Sequence, residues 1–188
     1  MMHEQVLKAG AIIHKGGVIL YPTDTIWGIG CDATNQNAIQ KILNIKHRPD
    51  KKSMLVLMNG ISMLSEYVDQ IPDSAHDIIN SAKIPTTIIY PQARNFAPNL
   101  LAEDGSIGIR ITSDPFCRQL IEVAGIPLVS TSANISGNPS VSSFSEIEEQ
   151  IIENVDYVVE WRQDEISSAS PSAIVKLYSQ GRVTVIRP

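Results

Sequence analysis

Residues 5–23 read QVLKAGAIIHKGGVILYPT. Residues 5–15 read as a helix, and Gly16-Gly17 stops it, because glycine leaves helical dihedrals easily just past a C-terminus. VILYPT follows at once as a short apolar strand ending at Pro22. A helix that hands directly to an apolar strand is the repeating unit of an α/β fold. The pattern continues outward. Residues 36–47 read as a second helix, with Ala38, Ile39, Ile42, Leu43 and Ile45 on its apolar face, Asn35 as N-cap and Pro49 forbidding its continuation. MLVLM (54–58) reads as a buried strand, 73–82 as a helix, and TTIIY (86–90) and SIGIRI (106–111) as strands. Asp114-Pro115 starts a helix that Gly125 stops. PLVST (127–131) is the next strand, and Ser143 with Glu146 forms a capping box for a following helix. DYVVE, SAIVKL and RVTVIR close the chain as strands, the last two flanking YSQG as a hairpin. Early alternation followed by a late hairpin predicts a mixed, mostly open α/β sheet with helices packed on it.

The 188 residues suffice for one domain with a real core and are short for two, so one domain over 1–188 is expected. Hydrophobic residues make up 43% and charged residues 19%, a globular balance. No apolar run approaches the ~20 residues that span a bilayer. MMHEQVLKAG carries an early Glu and shows no secretory signal. Cys31 and Cys117 are the only cysteines and neither sits in a CxxC, which suits a reducing compartment. A cytoplasmic location without membrane attachment is expected. The net charge of -5 and pI near 5.3 argue against a protein that coats nucleic acid non-specifically.

Against that acidic background, residues 46–52 read KHRPDKK. Lys46, Arg48, Lys51 and Lys52 place four of the chain's 15 Lys and Arg in one short stretch. A local cluster dominates its surroundings within a Debye length of roughly 8 Å, whatever the net charge. A helix C-terminus favours a cation, which alone would account for Lys46. It does not account for the three beyond the helix stop. Arg offers a planar fork and Lys a point charge to phosphate or carboxylate. A polyphosphate and a nucleic-acid backbone are the two anions that fit.

Two further polar clusters follow strands, where open α/β sheets hold ligands. YPTDTIWG sets Thr23, Asp24 and Thr25 before Gly28 and Gly30. Its bland reading is a turn in which Thr23 and Asp24 bond their own backbone. STSANISGNPS (130–140) packs Ser130, Thr131, Ser132, Asn134, Ser136, Asn138 and Ser140 around Gly137 and Pro139. Ser172 opens a late strand and Arg187 ends the last one. The four histidines, His3, His14, His47 and His76, are scattered, with no metal-ligand spacing. There is no GxxxxGK[ST], GxGxxG or GxSxG.

Together, YPTDTIWG, KHRPDKKSMLVLM, STSANISGNPS, PSAIV and the final IRP resemble the YrdC/Sua5 family of threonylcarbamoyl-AMP synthases, from about Gly16 to Pro188. The Lys46-x-Arg48 pair combined with Ser132-x-Asn134 and the SGxPS that follows is the most specific element. The resemblance implies a YrdC-like twisted, open mixed sheet with helices packed around a concave basic cavity. It implies condensation of L-threonine, bicarbonate and ATP to threonylcarbamoyl-AMP and pyrophosphate, with Mg2+ accompanying ATP. A tRNA threonylcarbamoyl transferase complex would then modify adenosine 37 of tRNAs reading ANN codons, giving t6A. By motif, Lys46 and Arg48 would be catalytic. Arg48, Lys52, Ser106, Ser132, Asn134, Ser140 and Arg187 would hold ATP. Thr25, Arg110, Ser130 and Ser172 would hold threonine, Arg110 meeting its carboxylate. No metal ligand from protein side chains is implied.

The chain departs from the family pattern in places. Leu57 stands where many relatives carry a His beside threonine, IPTTIIYP replaces the usual PGPxT, and Trp27 stands where Tyr is common. With Pro188 last, the short type, without the further domain of the longer Sua5 type, is expected. These departures bear on amino-acid selectivity more than on the fold. The alternatives are a module binding double-stranded RNA or tRNA, and a paralogue acting on another carbamoyl-type substrate.

Overall fold

The computed structural model describes residues 1–47, 54–165, 171–178 and 181–188. Arg48, Lys51 and Lys52 lie outside the described residues, and with them the roles expected of Arg48 and Lys52. In chain order the elements are α1 (Met2–His14), β1 (Ile19–Tyr21), β2 (Gly28–Gly30), α2 (Gln36–Ile45), β3 (Leu55–Met58), α3 (Ile61–Tyr67) and α4 (Asp73–Ser81). They continue with β4 (Thr86–Tyr90), β5 (Ile107–Ile111), α5 (Pro115–Ala124), β6 (Leu128–Ser132), α6 (Glu149–Asn154), β7 (Tyr157–Val158), β8 (Ala173–Leu177) and β9 (Val183–Arg187).

The strands form one sheet in the order β7-β1-β2-β6-β3-β5-β4-β8-β9. It is mixed: β1–β7, β3–β5 and β4–β8 are parallel and the other pairs antiparallel. The expected late hairpin is the β8–β9 edge, with a register shift between Ile174 and Val175.

Local signals explain most element ends. Asn35 Oδ1 accepts from the amides of Asn37 and Ala38 and starts α2. Asp114 accepts from the Cys117 amide, Pro115 takes the first helical position, and Gly125 at φ 66° closes α5 in the left-handed region. The capping box of Ser143 and Glu146 forms, but it caps only a short 3-10 turn, Phe144–Glu146. Ile147 is extended after it, and α6 begins separately at Glu149. That corrects the expected helix: a cap satisfies one end's amides but cannot supply the apolar face that propagates a helix.

Two elements had no reading in the sequence. One is α3, a two-turn helix that buries only Leu64. The other is β2, the GIG of YPTDTIWGIG, paired between β1 and β6. Glycine is a poor strand former, and here close approach requires it. A Cβ on Gly30 would stand 2.5 Å from the Val129 carbonyl and 2.7 Å from Tyr21 Cε1. Gly30→Ala should therefore cost about 1–3 kcal/mol as overpacking, read as a lower denaturant midpoint at unchanged slope.

Strand alternation sorts side chains onto two faces. One face carries Leu20, Ile29, Val56, Met58, Ile88, Ile109 and Val129 into a core shared with α2 and α6. On the other, Ile19, Tyr21, Leu57 and Leu128 meet Val6, Ala9 and Ile13 of α1 and Phe116, Leu120 and Ile121 of α5. Each such fully buried large side chain contributes ~1.5–3 kcal/mol. Helices α1 and α5 cover only part of this second face, and the uncovered part is the floor of a cavity.

Candidate active site

The cavity has a volume of ≈ 590 Å³, within the ~300–1,000 Å³ of small-molecule sites. Sheet register builds its floor. Leu55 of β3 pairs with Ser130 of β6 on one side and Gly108 of β5 on the other, and Gly108 pairs onward with Ile89 of β4. All four line the cavity. Arg110, two residues on from Gly108, shares its face. Ten of the site residues expected by motif line this one space: Thr25, Lys46, Ser106, Arg110, Ser130, Ser132, Asn134, Ser140, Ser172 and Arg187. The described lining has no Asp, Glu, His or Cys.

Lys46 joins two clusters that are far apart in sequence. It is the C-cap of α2 and only 2% exposed. Its ammonium does not turn back on α2. It donates to the carbonyls of Ser132, the last residue of β6, and of Asn134 just beyond it. The Ser136 amide returns a bond to the Lys46 carbonyl at 3.1 Å. Burying an ammonium is costly unless it is bonded, and these carbonyls meet that requirement. They also tie the end of α2 to the loop after β6.

That loop is organised from within. Asn134 Nδ2 donates to the carbonyls of Ile135 (3.0 Å) and Asn138 (2.7 Å), which fixes the amide's orientation. Its Oδ1 is buried without a partner, as is Ser136 Oγ, and both residues line the cavity. Glu148 holds the far side by accepting from Asn138 Nδ2 at 3.0 Å.

The Thr23–Thr25 turn stands with Arg110. Thr23 Oγ1 accepts from the Thr25 amide (3.0 Å), donates to the Ile26 carbonyl (2.8 Å) and lies 2.9 Å from Thr25 Oγ1. The turn reading therefore holds for Thr23, though its side chain also borders the cavity. Asp24 does something else. Its Oδ1 lies 3.0 Å from Arg110 Nη2 in an ion pair whose side chains are 14% and 3% exposed. Arg110 Nη1 donates to Thr25 Oγ1 at 3.3 Å, and Nε is buried without a partner. From outside, Arg162 braces the turn. It pairs with Asp114 at 2.7 Å and donates to the Thr23 carbonyl at 3.4 Å.

On the opposite wall, Ser172 Oγ and Thr87 Oγ1 are 2.7 Å apart. Arg187 donates from Nε and Nη2 to the Ser172 carbonyl at 2.9 and 2.7 Å. Asp104 accepts from the amide and hydroxyl of Ser106. Those bonds hold the Asp104 carboxyl below its usual range, the hydroxyl contributing most. Burial pushes both thiols up, Cys31 and Cys117, so each stays neutral. Trp27 lines the cavity and packs on Phe144 at 5.0 Å between ring centroids. Leu57 does not line it; fully buried, it belongs to the cluster under α1 and α5.

Residues 11–188 match the Sua5/YciO/YrdC family, described as "Telomere recombination". The chain belongs to this family. A Sua5/YciO/YrdC relative from Pseudoalteromonas translucida, named threonylcarbamoyl-AMP synthase, is 38% identical over 164 residues, covering 85% of this chain and 88% of the relative. Solved structures of the family share the fold. Sua5 of P. abyssi, as an H234A/Y235A variant, superposes with a TM-score of 0.88 at 22% identity. All of this chain is covered there, but it spans only 54% of that protein. E. coli YciO gives 0.84 at 26% identity, covering 100% of this chain and 89% of its own.

Motif reasoning named Asp24 and Ser136 in polar clusters without giving either a site role, and did not single out Thr87. No local signal singles them out in polar segments. A buried arginine on β5 does require a counter-charge, but the carboxylate that supplies it, Asp24, became visible only with the fold.

Proposed function

We propose that this chain is a threonylcarbamoyl-AMP synthase. The observation that carries the reading is a single cavity whose described lining gathers Arg110 and Arg187 with Thr25, Ser130, Ser132, Asn134 and Ser172 and holds no carboxylate. An amino-acid carboxylate or a phosphate suits the arginines, and the amino or hydroxyl groups of a nucleoside suit the hydroxyls and the amide. The P. translucida relative carries the same activity in its name. A P. abyssi Sua5 structure is a complex with L-threonine.

In this reading the reaction is a nucleotidyl transfer. Threonine's amine adds to bicarbonate, water leaves, and a carbamate forms. A carbamate oxygen attacks the α-phosphorus of ATP, and the α–β bridging oxygen leaves with pyrophosphate. Such a transfer needs alignment and charge neutralisation more than a covalent nucleophile. Thr25, Arg110, Ser130 and Ser172 would seat threonine. Arg48 and Lys52, with Ser106, Ser132, Asn134, Ser140 and Arg187, would seat ATP. Lys46 would serve by holding the Ser132–Asn134 loop in place.

Magnesium belongs to the substrate here, as Mg-ATP. No group of three His, Cys, Asp or Glu side chains suited to a metal occurs among the described residues, so its ligands would be mainly phosphate and water. The product would pass to the transferase complex that forms t6A on tRNA. A cytoplasmic location suits that route. No described helix is long and apolar enough to cross a membrane.

Purified protein given threonine, bicarbonate, Mg-ATP and pyrophosphatase should form threonylcarbamoyl-AMP, identified by mass. Phosphate release should depend on both threonine and bicarbonate. ATP turnover that needs neither would overturn the reading.

A further inference from the structure

Arg162 follows β7 and is not part of the cavity lining. Its backbone sits at φ 63°, in the left-handed region. A residue with a Cβ adopts that region rarely and stays there only where its surroundings hold it. The contacts that hold Arg162 are polar. Nη1 pairs with Asp114 Oδ2 at 2.7 Å, Nε pairs with Glu165 at 2.6 Å, and Nη2 donates to the Thr23 carbonyl at 3.4 Å. The Asp114 side chain is 5% exposed and that of Glu165 60%, so Asp114 is the firm anchor and Glu165 adds little. Asp114 is itself fixed, because its Oδ1 accepts from the Cys117 amide as the N-cap of α5.

The anchored guanidinium reaches the back of the turn between β1 and β2. Helix α5 touches the same turn, where Cys117 Sγ donates to the Pro22 carbonyl at 3.5 Å. From Thr23 the contacts run on toward the cavity. Thr23 Oγ1 accepts from the Thr25 amide and lies 2.9 Å from Thr25 Oγ1, which accepts from Arg110 Nη1. Thr23, Thr25 and Arg110 all line the cavity. A group that sets the backbone carrying binding residues acts on affinity through their placement, and a shift of about an ångström is enough.

We propose that Arg162 is a positioning residue for the amino-acid subsite. It clamps the Thr23–Thr25 turn to the start of α5, so that Thr25 and Arg110 keep their places on the cavity wall. The proposal rests on the synthase reading, which assigns threonine to Thr25 and Arg110. Among the described residues, the bonds of Arg162 run to Asp114, Glu165 and Thr23 and none to Ser132, Asn134 or Ser140, which would seat ATP. The two substrates should therefore respond differently to its loss.

Arg162→Gly is the first variant, because glycine takes φ 63° without strain and the change removes only the side-chain bonds. Steady-state kinetics should show the threonine KM about tenfold higher, with the ATP KM within about twofold of wild type. Titration calorimetry should show the same loss of threonine affinity. Asp114→Asn is the second arm. Asparagine keeps an oxygen for the Cys117 amide but drops the charge that anchors Arg162, so the threonine KM should rise at least about threefold. The double variant should stay within about twofold of R162G, since both changes break one clamp. A threonine KM that rises less than about threefold in either single variant would overturn the proposal. So would equal rises in both KM values, or effects that multiply in the double variant. D114N decides alone if R162G does not fold. Wild-type protein without threonine-dependent turnover would overturn the synthase reading, and this proposal with it.

Discussion

Lys46→Met should reduce kcat/KM by about 10²-fold and lower stability by about 2–4 kcal/mol. The ammonium of Lys46 is buried and donates to the carbonyls of Ser132 and Asn134. Methionine fills a similar volume but leaves two acceptors without that donor. Each buried acceptor so orphaned costs ~1–3 kcal/mol. The loop that carries Ser132, Asn134 and Ser136 then loses its side-chain anchor to α2. Misplacement of positioning groups by about an ångström is enough for a loss of this size. Lys46→Arg separates clamp from charge. A guanidinium keeps the charge but is planar and larger, so the clamp expects K46R to fall nearly as far as K46M. Full activity in K46R would mean that charge alone matters. Steady-state kinetics and thermal unfolding read both effects, with ~2–4 °C of Tm per kcal/mol expected at this size.

Arg110→Ala should raise the threonine KM roughly tenfold to hundredfold, the range for a lost charge-assisted hydrogen bond, with a smaller change in the ATP KM. It should also destabilise the fold by about 3 kcal/mol, because Asp24 is left largely buried without its counter-charge. Arg110→Lys should recover stability better than affinity. Lysine can pair with Asp24, but it lacks the fork that also reaches Thr25. Equal rises in both KM values would argue against a threonine role for Arg110.

What could be read from the chain follows a physical division. The start and stop of α5 were legible, because Asp114, Pro115 and Gly125 act on backbone groups within four residues of themselves. The capping box of Ser143 and Glu146 was legible for the same reason, yet the helix expected after it is a single 3-10 turn. Whether a capped turn propagates depends on a distant surface to pack against. β2 was illegible because Gly28 and Gly30 have low strand preference and leave Ile29 as the only strand former of the three. They are a strand because β1 and β6 flank them and leave no room for a Cβ at Gly30.

The site divides in the same way. Short motifs identified most of the polar residues that line the cavity, since hydroxyls, amides and cations cluster at strand ends where ligands bind. They also marked Thr23 as a turn former, a bond made within three residues. By itself, then, the sequence determined most element types, many of their local ends and the chemical character of three polar stretches. Only the tertiary structure decided which of those groups meet. Lys46 reaches carbonyls at and just beyond the end of β6, and Arg110 reaches Asp24. Leu57 goes to the core rather than the cavity. Those outcomes are set by strand order and register. A shift of one residue in β5 would turn Arg110 to the opposite face of the sheet and put Ile109 or Ile111 in its place. Side-chain partners distant in sequence are chosen by the sheet, and no local property of either residue encodes the choice.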